Sequence, residues 1–483
     1  MNVTSSPAIV STELRRGALG VGFIIFFVVS AASPFSVLAG GFPIGMMLGN
    51  GAGTPVLIGL VLTVLLIFSV GYTTMARYVT NAGGFYAFSA RGLGGIAGGA
   101  AAGLAIFAYN ILQIGLYGMF GGVAAGTMSA VFDLHLPWWL YSLVAMGSIA
   151  FLGYRQIDLS AKVLCVIVMV EYLVILVLNV AILSSGGDSG VNFDSFQPQH
   201  VFSGAPSIGL LFCFAAFIGF EATTIYGEEA KNPRRDIPLA TYSAILLIGC
   251  FYAVSIWSMI IGVGVDKIVP TLYALEDPTT LIYGLSDHYV GPEMTQLIRV
   301  LFLVGIYAGL VAFHNSAARY FYAIGRDGLL PRALGTTHPV HQSPHLGSLL
   351  QTLIAAAAVM IFAAFGGDPI LQLFAWFSSL AALSLILLMA ITSLAVLRYF
   401  RRHPELDVGP WRSKILPAFS SLALLSMLVI AVMHFDVLTG SSQLLSYGLC
   451  ILIALALAAG GVLAMRLRQS SPEQFQQLGS HRL

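Results

Sequence analysis

Charge is scarce in this sequence. Only 9% of its 483 residues are Asp, Glu, Lys or Arg, against 58% hydrophobic, and no soluble domain of this length hides so much apolar surface. Cysteine is scarce too. Cys165, Cys213, Cys250 and Cys450 all sit in apolar runs without metal-like spacing, and read as small core residues. No nucleophile stands beside a base, no metal cluster forms, and no nucleotide loop or ATPase motif occurs, which disfavours a membrane enzyme or a primary pump. No cofactor is implied, and a net charge of +1 gives no sign of nucleic acid as a partner.

What is present is a series of long apolar runs. A helix needs about 20 apolar residues to cross a bilayer, and such runs lie near 18–47, 54–76, 95–127, 136–153, 158–184, 205–227, 238–264, 294–323, 346–365, 370–399, 413–436 and 442–467. That predicts an all-α polytopic membrane protein with twelve spans. All the lysines and arginines except Lys267 and Arg299 fall in the two tails or in alternate loops. The positive-inside rule makes those places cytoplasmic, so both termini are expected inside a cytoplasmic (inner) membrane. The polar stretch before the first run, and the length of that run, argue against a cleavable signal. The longer segment 265–293 on the opposite face has room for a short lid helix.

Two runs carry an interruption. In the first, "VVSAASPFSVLAGG" (28–41) places Ser33 as an N-cap before Pro34, with Ser36 following, so that one helix stops near Ser30 and another starts at Pro34. Amides freed at the restart suit an anion such as an amino acid carboxylate, and carbonyls freed at the first end suit an ammonium group. Ser30, Ala31, Ala32, Ser33, Pro34 and Phe35 thus form one half of a candidate substrate cradle. The sixth run is broken at "AAFIG" (215–219), which adds Phe214, Ala215, Phe217 and Gly219. Matching breaks in spans one and six point to inverted repeats with a site at the midplane; a proline kink filled by neighbouring helices is the plainer alternative.

These residues resemble a family. "FAAFIGFEATTIYGEEAKNPRRDIPLAT" (214–241), "NAGGFYAFSARGLGG" (81–95) and "HNSAARYFYAIGRDGLLP" (314–331) are similar to segments of the amino acid, polyamine and organocation permeases. The resemblance covers about residues 18–467 and implies a leucine-transporter fold with 5+5 inverted repeats, helices 1 and 6 broken. It divides the chain into a tail (1–17), a first repeat (18–184), a second repeat (205–399), two peripheral helices (413–467) and a second tail (468–483). It also implies alternating access for an amino acid or amine, driven by protons or by exchange. Many relatives have a Gly-Ser-Gly type break in span one, where this chain has Ser30-Ala31-Ala32-Ser33-Pro34.

Glu171 and Glu221 lie well inside predicted spans, and a charge in hydrocarbon is costly enough to mark a functional candidate. Glu171 is nine residues beyond Lys162, about 13 Å along a helix. Aligning "LSAKVLCVIVMVEYL" with relatives that resemble it puts Glu171 where some proton-coupled members keep a lysine, at a position where sodium-coupled members bind an ion. It is the expected proton carrier; a permanently protonated acid bonded to a helix carbonyl is the structural alternative. Glu221 either relays protons at the inward gate or braces the broken helices. The eighth span has no Ser or Thr between 296 and 315, which removes two oxygen ligands that sodium-coupled members of this fold use.

In span three, Asn110, Gln113 and Tyr117 share a helix face, with Tyr109 beside Asn110. Asn110 and Gln113 are offered as substrate contacts, although interhelical hydrogen bonds explain the same pattern. Phe217 and Trp376 are gate candidates. His338, His341 and His345 with Asp327 invite a metal reading, but they read more simply as a solvated loop. The loop "GEEAKNPRRDIP" reads as a charged connection punctuated by Pro233 and Pro238. The expected function is therefore a proton-coupled permease in the bilayer, monomer or homodimer, with an amino acid or amine as substrate. Without a fixed cation at the site, neutral amino acids are favoured. The alternatives are an exchanger, a sodium-coupled carrier or a non-transporting ligand sensor.

Overall fold

The computed structural model describes residues 20–479 apart from 32, 80–82, 156–160, 229, 340, 342 and 441–442, and omits the side chains of residues 26–27, 30–31, 155, 161–165 and 225–228. Among the described residues there are helices and no strands. Ten helices are long and apolar enough to cross a membrane by length and composition; the interrupted first segment and the shorter Trp138–Tyr154 complete the twelve expected spans. Several extend past the expected bounds. The third span runs Gly95–Phe132 and the eighth Pro292–Arg326.

The third span is the spine. It packs on the eighth, on the tenth (Ala375–Arg402) and on the twelfth (Gln443–Ser470). Its contact with the twelfth is made by small residues. A methyl group at Gly103 would lie 2.5 Å from the Ala456 carbonyl oxygen, and one at Gly99 2.7 Å from that of Gly460. With no hydrophobic driving force between helices in lipid, such close backbone approach is what holds them together.

After the twelfth span the chain turns back under the bundle. Phe475 lies where a side chain on Gly95 would collide at 2.6 Å, and Leu478 is 4% exposed. The segment docks against the short helix Phe85–Leu93, whose Tyr86 hydroxyl donates to Asp327 Oδ2 at 2.6 Å. Asp327 is therefore engaged here and not with the histidines. His338, His341 and His345 gather around Tyr154 of the fourth span, with the Tyr154 hydroxyl 3.0 Å from His338 Nε2.

Two expectations about the loops need correcting. The segment after residue 264 holds three short helices, Ile268–Ala274, Pro278–Thr280 and Leu281–Tyr289, in place of one. Pro233 and Pro238 do not punctuate a loop. The seventh span begins at Pro233, where proline in the first turn loses no helical hydrogen bond and Asp236 accepts the Asn232 amide at 2.9 Å; Pro238 lies inside the helix and forgoes the bond to the Arg234 carbonyl.

Candidate functional site: a cavity between two broken helices

The first span stops and restarts within the expected stretch. Val21–Ala31 forms the first half; after Ser33 the helix resumes at Pro34, widens over Ser36–Gly41 and continues through Phe42–Leu48. Ser33 has φ +34°, a left-handed conformation that non-glycine residues adopt at a cost of about 1–2 kcal/mol. It does not cap the new helix as the sequence implied. The turn aims its hydroxyl at Ser36 Oγ, 2.7 Å away, while its carbonyl oxygen accepts the Val37 amide. Ala32 and the side chains of Ser30 and Ala31, also assigned to the cradle, lie outside the described residues.

The amide freed at the restart is already engaged. Phe35 N–H donates to Glu171 Oε2 at 3.3 Å. Glu171, on the fifth span Ala161–Ser185, is fully buried, and its Oε1 has no hydrogen-bond partner among the described residues. Gly305 of the eighth span leaves room for it: a methyl group there would lie 2.6 Å from Oε1 and 2.8 Å from Ser33 Oγ. The first, fifth and eighth spans thus meet at one carboxylate.

The sixth span breaks as well. A helix Pro206–Ala215 gives way to turns and then to a tighter helix from Phe220 to Glu228. Gly219 takes φ +112° at the bend, a region open chiefly to glycine. Its amide donates to Glu221 Oε2 at 2.9 Å, and the Tyr109 hydroxyl donates to Oε1. Tyr109 stacks on Tyr320 with ring centroids 5.1 Å apart. The Tyr72 hydroxyl donates to the Glu221 carbonyl oxygen at 3.1 Å. Glu221 therefore ties the bend to the second, third and eighth spans.

Between the two breaks lies a partly open cavity of about 550 Å³, counting the space at its open side. Ser33 and Ser36 form its first-span wall, Ala215, Ala216 and Ile218 its sixth-span wall. Leu112 and Leu116 close it from the third span, Gly309 and Phe313 from the eighth, Phe374 and Ser378 from the tenth. Among the described residues its polar side chains are those of Ser33, Ser36 and Ser378, and none of its lining residues is charged. A second, smaller cavity of about 280 Å³ shares Ile218 and is lined by Phe85, Phe214, Phe217 and Glu221.

Of the residues singled out in the sequence, Ser33 and Ala215 line the central cavity, while Phe214 and Phe217 line the smaller one. Asn110 and Gln113 line neither. Asn110 Nδ2 donates to the Ile106 carbonyl oxygen at 2.8 Å, and Gln113 Nε2 lies 3.2 Å from both Tyr117 Oη and His314 Nδ1. His314 continues to Ser348 of the ninth span at 2.6 Å, so this face of the third span is an interhelical seam. Trp376 packs edge-on against Phe362 at 6.3 Å, outside the cavity. Leu112, Leu116, Phe313, Phe374 and Gly305 were missed, because an aliphatic, aromatic or glycine residue in a membrane helix carries no signal of the face it presents.

The sequence model of the amino acid permease family matches residues 21–470. The branched-chain amino acid permease BcaP of Bacillus subtilis is 28% identical over 47% of this chain and 45% of its own length. The methylthioribose transporter of the same organism is 26% identical over 59% of this chain and 56% of its own length. The chain thus spans about half the length of the curated relatives it matches. Among solved structures, a mutant manganese transporter of Eremococcus coleocola superposes with a TM-score of 0.56 at 14% identity, covering 95% of this chain and 98% of the other. That likeness concerns the fold, an all-helical transporter fold of the leucine-transporter type.

Proposed function

Because the chain belongs to the amino acid permease family, we propose that it is a secondary transporter carrying a small neutral amino acid with an apolar side chain by alternating access. The observation that carries this reading is the cavity shared by the two broken spans, with Ser33 on one wall and Ala216 on the other. Broken helices at a common cavity offer backbone donors and acceptors to a zwitterion. Leu112, Leu116, Phe313 and Phe374 suit an aliphatic side chain, and the absence of a carboxylate among the described lining residues disfavours a polyamine.

Glu171 is assigned the coupling proton and Glu221 the role of a brace. Both oxygens of Glu221 are bonded to groups that hold the sixth-span bend, whereas Glu171 has an open oxygen at the meeting of three spans. The first five spans and the next five act as the two repeats that move against each other, with the arginine-rich face in the cytoplasm.

The test is uptake of labelled leucine, alanine, lysine and putrescine into proteoliposomes, with and without an imposed pH gradient. Leucine accumulation driven by the gradient, blocked by Leu116→Trp while alanine uptake persists, is the expected result. Uptake that ignores the gradient and requires internal substrate would make the protein an exchanger. Preference for putrescine would overturn the substrate class.

A further inference from the structure

The bond between Glu171 and the restarted first span bears on how substrate and proton are linked. A helix start offers free amides and about half a positive charge, but this one offers few. Pro34 has no N–H, the Val37 amide is bonded to the Ser33 carbonyl oxygen, and the Phe35 amide donates to Glu171. The hydroxyls of Ser33 and Ser36 are bonded to each other. The Phe35 amide of the restarted helix is therefore already taken by a carboxylate of the protein itself, which stands behind Ser33 and not on the cavity wall.

We propose that Glu171 competes with the substrate carboxylate for the amides at the restart of the first span, holding them when ionised and releasing them when protonated. The proposal rests on the transport reading above and specifies how its site is controlled. A proton from water on the entry side converts the Glu171 carboxylate to the acid and weakens its hold on Phe35 N–H, since a neutral acid accepts a weaker hydrogen bond than a carboxylate. The substrate carboxylate then takes the helix end. Two carboxylates sharing one helix terminus with no cation from the protein beside them disfavour the doubly ionised state, so substrate and proton enter together and one positive charge moves per zwitterion.

Among the described residues the surroundings supply no other charge. On the first span the neighbours are Ser33 and Ser36, on the eighth the bare backbone of Gly305. The ionisable neighbours are the phenols Tyr172 on the same span and Tyr252 on the seventh. The helix Leu281–Tyr289 approaches the fifth span at Ile182 through Gly262, about 16 Å further along. Gly305 matters because any side chain there would push Glu171 off the amide in either protonation state.

The experiment is isothermal titration calorimetry of the purified full-length protein in lipid nanodiscs, with leucine, isoleucine, valine and alanine, across pH 5–9 and in two buffers of different ionisation enthalpy. Expected is uptake of one proton per amino acid at high pH, with Kd rising tenfold per pH unit above the Glu171 midpoint and flat below it. Glu171→Gln should abolish both the proton uptake and the slope. Isoamylamine, which is leucine without its carboxylate, should bind the wild-type protein with no slope, a result independent of how well any variant folds. An amino acid that binds without proton uptake, or isoamylamine showing the same slope as leucine, overturns the competition while leaving the transport reading intact. Failure of all four amino acids to bind at any pH removes the transport reading itself.

Discussion

Removing one hydroxyl tests whether Glu221 is a brace or a proton carrier. Tyr109→Phe keeps the ring stacked on Tyr320 and deletes only the donor to Glu221 Oε1. A hydrogen bond to a charged group contributes about 1.5–3 kcal/mol. One kcal/mol shifts Tm by roughly 2–4 °C in domains of 150–250 residues, and by about half that in a chain this long, so a fall of roughly 2–6 °C is expected. Glu221→Gln should be milder: its amide oxygen can accept from Gly219 N–H and its amide nitrogen can donate to Tyr109 Oη, which leaves only the Tyr109 hydroxyl proton without its former acceptor. The double variant should show coupling of at least about 1 kcal/mol, since the two groups are in contact. Thermal unfolding in detergent gives the stabilities, and leucine uptake in proteoliposomes gives function. If Glu221→Gln abolishes uptake while Tyr109→Phe leaves Tm unchanged, the brace is refuted and Glu221 carries protons.

Gly460→Leu would drive a side chain into the Gly99 backbone; overpacking costs about 1–3 kcal/mol, and a lower Tm with uptake reduced in proportion is expected by thermal unfolding and flux. Leu478→Asp buries a charge beneath the helix Phe85–Leu93, so the segment from Ser471 onwards should detach and become open to limited proteolysis. His338 is held below its usual value of 6.5, first by its packing and then by the charges of His341 and His345. Its neutral form favours the folded loop, so stability is complete above the unfolded value and falls as pH drops through about 6.5. His338→Gln should flatten the pH dependence of proteolysis between 331 and 345.

The spans were legible in the sequence because a membrane allows only long apolar helices, and the breaks because Pro34 and Gly219 disturb them where nothing else does. The proline marked the restart correctly, yet the capping rule failed at Ser33. That rule assumes an extended residue before the helix, and a bilayer-buried turn forced Ser33 into the left-handed region instead. Glu171 was visible as a costly charge; its partner, the Phe35 amide, was not, since a backbone group has no letter of its own. Gln113 and Asn110 are different: their amide nitrogens lie against Tyr117, His314 and the Ile106 carbonyl, while Asn110 Oδ1 and Gln113 Oε1 find no partner among the described residues. The walls themselves are Leu, Phe and Ala, which lipid-facing positions use equally.

Ile218 stands between the two cavities, with Phe214 and Phe217 buried behind it. A constriction of this kind stops ions by staying dry, since narrow apolar passages exclude liquid water. On the transport reading proposed above, the barrier to leakage at Ile218 is one of wetting. A single hydroxyl at this point, as in Ile218→Ser, should admit a water thread and dissipate a pH gradient across sealed vesicles in the absence of any substrate.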